Sequence, residues 1–79
     1  MARIIEGTQK NIVGEKVRQL RQKQQLSQQD LSARLETYAI YVCRGSMSRI
    51  EDGSRTVTDI ELYGLSQALE TPVEEFFKS

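Results

Sequence analysis

Residues 44–53 read RGSMSRIEDG, setting two arginines, Arg44 and Arg49, around Gly45, Ser46 and Ser48. A guanidinium is a rigid fork of donors that grips a planar pair of acceptors through two parallel hydrogen bonds, and a serine hydroxyl can donate or accept one more. Such a set recognises a polar surface. A second polar group, Ser27, Gln28 and Gln29, lies upstream. Chemistry of other kinds has little to work with. The chain has no histidine and a single cysteine, Cys43, which excludes a histidine-based acid–base group and a structural zinc site. Its carboxylates fall in helix-capping positions and on predicted exposed helix faces, where structure accounts for them, so neither an enzymatic step nor a cofactor is expected.

These groups need helices to position them. Val13, Val17 and Leu20 recur at i, i+4 and i+7 with charged and amide side chains between them, which predicts an amphipathic helix of about three turns capped by Thr8 or Asn11. Ser27 with Asp30 three positions later is a capping box opening a short second helix through Leu31 and Leu35. Only two or three residues separate the two helices, which forces a steep corner. Residues 36–43, with Tyr38, Ile40, Tyr41 and Val42, have strand-like composition but no partner strand, and are expected to form a long, partly packed loop. A third helix over 44–52 puts Met47 and Ile50 inward and ends at Gly53. Thr58 with Glu61 opens a fourth helix with core positions Ile60, Leu62, Leu65 and Leu69, and Thr71 with Glu74 opens a fifth presenting Val73, Phe76 and Phe77. The expectation is an all-α fold of five short helices around one core.

At 79 residues this is one domain, read as an N-terminal arm over 1–11 and a helical domain over 12–79. One cysteine forms no internal disulfide, and the absence of a signal-like segment or an 18-residue apolar run makes a reducing cytoplasm the expected compartment, with no membrane partner. The zero net charge taken alone speaks against a nucleic-acid partner, but the charge is unevenly spread. Residues 1–35 carry seven basic and three acidic groups. Residues 56–79 carry Asp59, Glu61, Glu70, Glu74 and Glu75 against Lys78 alone. The chain is basic in front and acidic behind.

Three segments together resemble a known family. VGEKVRQLRQKQQLSQQDLS (13–32), MSRIEDG (47–53) and the stretch from Ile60 to Phe76 are similar, in that order, to the phage-repressor and Cro-like helix-turn-helix domains, the Xre family. The resemblance covers residues 12–77 and implies a compact lambda-repressor-like domain. One departure is plain: members usually join helices 2 and 3 by a tight, glycine-containing turn, whereas this chain has a lengthened loop without that glycine. The insertion is open to three readings: it tilts helix 3, widens the DNA footprint, or lies against a partner subunit.

The resemblance assigns roles residue by residue. Helix 3 is implied to enter the major groove of double-stranded DNA, with Arg44 and Arg49 gripping guanine edges, Ser46 and Ser48 bonding phosphate or base, and Gly45 letting the backbone come close. Gln28, with Ser27 and Gln29, is implied to meet phosphate at the start of helix 2. Arg55, and with it Arg3 and Lys10 of the arm, is implied to approach the backbone. Arg21 and Glu51 match the family's ion pair between helices 1 and 3, a structural role. Cys43 precedes helix 3 as a small residue or, alternatively, as a redox-sensing thiol.

A domain this small reads only a few base pairs, so a homodimer on a two-fold operator is expected, with Phe76 and Phe77 or the Tyr38–Val42 loop as candidate surfaces. The function implied is a sequence-specific transcriptional regulator, a repressor, with a possible regulatory protein partner. The alternative is a protein-interaction module, such as an antirepressor or the antitoxin half of a toxin pair.

Overall fold

The structure, a computed structural model, describes residues 9–78. It has four α-helices, α1 (Gly14–Lys23), α2 (Gln28–Glu36), α3 (Arg44–Asp52) and α4 (Asp59–Ala68), followed by a 3-10 turn, Val73–Phe77. Helix α1 packs on α3, α2 packs on both α3 and α4, and the 3-10 turn lies against α1 and α4. Val17, Leu31, Leu35, Met47, Ile50, Leu65, Leu69 and Phe76 fill the centre, each with almost no exposure.

Helix starts follow local chemistry. Ser27 and Thr58 form complete capping boxes with Asp30 and Glu61, each hydroxyl accepting from the N3 amide and each carboxylate accepting from the cap amide. Asn11 serves α1: its Oδ1 accepts from Gly14 N at 2.8 Å and Val13 N at 3.1 Å. Thr8, the other candidate cap, and Arg3 lie outside the described residues. Lys10, assigned to the arm from sequence, donates its backbone N–H to Gly53 O at 2.7 Å.

Helix ends share one device. After each of the four helices a residue with positive φ (Gln25, Ala39, Gly53 or Glu70) is followed by an amide that donates back five residues, as Leu26 N does to Arg21 O and Ile40 N to Leu35 O. This is the Schellman motif, which satisfies carbonyls the helix leaves open. Only one of the four uses glycine. The left-handed residue that the α2–α3 connection needs is therefore present, as Ala39 at φ 60°.

Three expectations need correction. The fifth helix is a five-residue 3-10 turn and its capping box does not form. Pro72 is extended (ψ 145°) and the Thr71 hydroxyl donates instead to Leu69 O at 2.9 Å, holding the preceding turn. Ile60 is not core but 65% exposed. It lies in the first turn of α4, and the loop side chain Ile40 packs one turn later, over Gly64. Phe76 is buried and so leaves the candidate dimer surface, while Phe77 is exposed. The long loop is packed as expected: Ile40 and Val42 enter the core, and Tyr38 and Tyr41 face out.

Candidate nucleic-acid interface

The angle of α3 is set by one buried carboxylate. Glu51 has a fully buried side chain, and Arg21 donates to it twice, Nε to Oε2 at 2.6 Å and Nη2 to Oε1 at 3.0 Å. Gln28 Nε2 adds a third bond at 3.1 Å, and Arg18 Nε stands 3.7 Å away. Arg21 also donates to Leu26 O at 2.7 Å, within the α1–α2 corner. One guanidinium thus ties α1, the corner and α3 together, and donating to the Glu51 carboxylate holds Arg21 above its ordinary pKa. Removing either partner would leave a buried charge unpaired, a loss of about 3–5 kcal/mol.

A second clamp was not legible as such in the sequence. Asn11 Nδ2 donates to Ile50 O at 3.1 Å and to Arg55 O at 2.8 Å, so the side chain that caps α1 also holds the C-terminal end of α3. Beside it Gly14 lies directly on the Ile50 carbonyl, where a Cβ would clash. Helix α1 reaches α3 this closely only because residue 14 has no side chain.

With its inner face held, α3 turns the other outward. At about 100° per residue the exposed residues Arg44, Gly45, Ser48, Arg49 and Asp52 form a single strip, with Met47 and Ile50 opposite and the buried Glu51 flanking it on the Arg44 side. Arg44 and Arg49 stand at its two edges, about 140° apart, so they address different parts of any surface that receives the helix. No carboxylate holds either of them among the described residues. Ser46 is half-buried beside this strip. Asp52 places the one acidic group at the C-terminal end, where Ser54 holds its carboxyl below the usual range. The cationic part of the strip is thus its N-terminal part.

The start of α2 lies next to it. Ser27 and Gln29 are exposed, with the Ser27 hydroxyl engaged as the cap, while Gln28 is half-buried on Glu51. Gln29, Tyr41, Cys43, Arg44 and Ser46 line one open cleft of about 400 Å³. Cys43 is the exposed N-cap of α3, and the Ser46 amide and hydroxyl draw its thiol below the ordinary value. Arg55 is placed differently from the others. It makes a two-bonded pair with Glu61 (3.1 and 2.9 Å) and donates to Thr56 O, which leaves its Nε–H and one Nη2 hydrogen. Among the described residues there is no cluster of metal-ligating side chains and no helix long and apolar enough to cross a membrane.

No protein-family model matches the chain, and no curated protein does. Among solved structures, the restriction-modification controller protein C.AhdI from Aeromonas hydrophila is similar at a TM-score of 0.72 and 28% identity, over 82% of this chain and 91% of that one. The likeness to Cro-like helix-turn-helix domains, carried in the sequence by three short motifs, therefore extends to the arrangement of the helices.

Proposed function

We propose that this chain is a sequence-specific, double-stranded-DNA-binding transcriptional regulator that reads the major groove with α3 as a homodimer and represses by occupying a two-fold operator. The observation that carries this reading is the outward strip of α3: two arginines without carboxylate partners among the described residues and a serine, on a helix held from its buried side by Glu51 and Arg21. A reading helix needs both properties, because base edges discriminate only when the donors that meet them are held in register.

Arg44 and Arg49 are the proposed base contacts, with Ser46 and Ser48 as hydroxyl partners and Gly45 as the point of closest backbone approach. Ser27 and Gln29 meet phosphate at the amino end of α2, where free N–H groups favour an anion. Gln28 acts there chiefly by bracing Glu51. Arg55 is a weaker contact, since its pair with Glu61 engages most of its donors. The likeness to a restriction-modification controller supports the regulatory role. Phe77 is the proposed dimer contact. It is half exposed and shares a shallow apolar cleft with Ile12, Val57 and Leu62.

A protein-interaction module is the second reading, favoured by Ile60 and Tyr63, which stand more than half exposed on α4. Selection of bound sites from a random duplex library separates the two. A palindromic site bound at least about a thousandfold more tightly than scrambled duplex is the expected result. Failure to enrich any site would refute the regulator and favour the interaction module.

A further inference from the structure

The connection between α2 and α3 presents an aromatic ring to solvent. Tyr41 is 76% exposed, more than any other large apolar side chain among the described residues. Its neighbours on both sides, Ile40 and Val42, are buried, and Ile40 is bonded through its amide to Leu35 O at 3.1 Å. Two residues beyond Tyr41, Cys43 O accepts the first hydrogen bond of α3 from Met47 N at 2.8 Å. The backbone is thus pinned on both sides of a ring that faces solvent. In extended chain, alternate residues point to opposite sides, so burying Ile40 and Val42 is what sends Tyr41 outward.

The ring is also placed beside the reading helix. Tyr41 shares its cleft with Gln29 from the first turn of α2 and with Arg44 and Ser46 from the first turn of α3. We infer that Tyr41 is a sugar-phosphate contact of the DNA-reading surface, its ring lying on a deoxyribose and its hydroxyl donating to a phosphate oxygen next to the groove that α3 enters. This rests on the DNA-binding reading of α3. Tyrosine suits the task because its two side-chain torsions cost little to order and because the phenol joins an apolar face to a polar tip. The one acidic group in the cleft, Glu36, is the last residue of α2, about 10 Å along the helix from Gln29. Phosphate is therefore received at the Gln29–Arg44 end. The loop widens the contact by one backbone site and adds no charge.

That neutrality gives the assignment its own signature. A lysine or arginine on phosphate displaces a counterion, so its removal flattens the dependence of log affinity on log salt by about one. A phenol displaces none. The test is fluorescence anisotropy on the selected site and on scrambled duplex, across salt, for the full chain and for Tyr41→Ala, Tyr41→Phe, Tyr38→Ala and Arg44→Ala, each first checked for an unchanged melting temperature. Tyr41→Ala is expected to weaken both duplexes by about tenfold and Tyr41→Phe by about threefold, with the salt slope unchanged. Tyr38→Ala, exposed in the same loop but outside the cleft, is expected to leave affinity unchanged. Arg44→Ala should flatten the slope. Unaltered affinity in Tyr41→Ala beside a wild-type chain that binds tightly would overturn the inference alone and return Tyr41 to a protein partner. A loss confined to the selected site would make Tyr41 a base contact and overturn it equally. A wild-type chain that binds no duplex would overturn both the inference and the reading on which it rests.

Discussion

Gly14→Ala separates helix propensity from packing, because the two predict opposite signs. Alanine is favoured over glycine by up to about 1 kcal/mol inside a helix, and residue 14 opens α1 with ordinary helical geometry. From propensity alone the variant should be stabilised. The structure reverses this. A methyl at residue 14 would press into the Ile50 carbonyl oxygen and lie 3.0 Å from that of Glu51, whereas carbon and oxygen ordinarily stop at about 3.3–3.6 Å. Both oxygens belong to helix backbone and have no rotamer in which to escape, so α1 must back away from α3. That retreat pulls on the bond from Asn11 to Ile50 O and on the Arg21 bridge to Glu51. Overpacking costs about 1–3 kcal/mol and here also loosens a buried ion pair, so after the propensity gain a net loss of about 2 kcal/mol is expected. At roughly 4–8 °C per kcal/mol for a domain of this size, the melting temperature should fall by about 8–16 °C. Thermal melts followed by circular dichroism give the answer. An unchanged or raised melting temperature would refute the account of how α1 and α3 meet.

Gly45→Ala should behave in the opposite way. A Cβ there meets nothing within 4 Å, so the variant gains up to about 1 kcal/mol in urea denaturation yet, on the proposed reading, binds the selected duplex more weakly, because the methyl would stand where the helix backbone is proposed to approach the groove; unaltered binding would contradict that placement. Ala39→Gly removes a side chain from a left-handed position at φ 60° and should raise stability by about 0.5–1 kcal/mol, with a drop in the urea midpoint as the contrary result. Acid titration tests the Arg55–Glu61 pair. Arg55 first, and then the Thr58 amide, hold the Glu61 carboxyl below its ordinary value of 4.5. A depressed folded value means that the stabilisation is complete above about pH 4.5 and is lost as pH falls through the lower value. Glu61→Gln should therefore show a shallower acid limb than the wild type in melting temperature against pH, and identical limbs would count against the pair.

How far the fold could be read from sequence depended on the range of each interaction. The Ser27 and Thr58 capping boxes act over three residues, and both were visible in the spacing of a hydroxyl and a carboxylate. Thr71 with Glu74 has the same spacing and fails: Pro72 takes an extended ψ of 145° and the Thr71 hydroxyl is engaged by Leu69 O in the preceding turn. Three of the four helix ends gave no signal, since Gln25, Ala39 and Glu70 take the conformation for which glycine is the usual mark. Arg21 and Glu51 could be paired in advance only through the family resemblance, for nothing local joins residues 30 apart in the chain. The face of α3 was readable from the inward spacing of Met47 and Ile50. The role of Asn11 at both helices and the projection of Tyr41 were not, because each depends on which distant element lies alongside.

The central claim is that the outward strip of α3 reads DNA, and removing its two cations tests this most directly. With the selected operator in hand, the chain carrying Arg44→Ala and Arg49→Ala should keep its melting temperature, since both side chains are exposed, and lose most of its preference for the operator. Each guanidinium withdrawn from a base edge should cost about 1–3 kcal/mol of discrimination. A folded double variant that still prefers its operator over scrambled duplex as strongly as the wild type would contradict the account, because the sequence would then be read by some other surface.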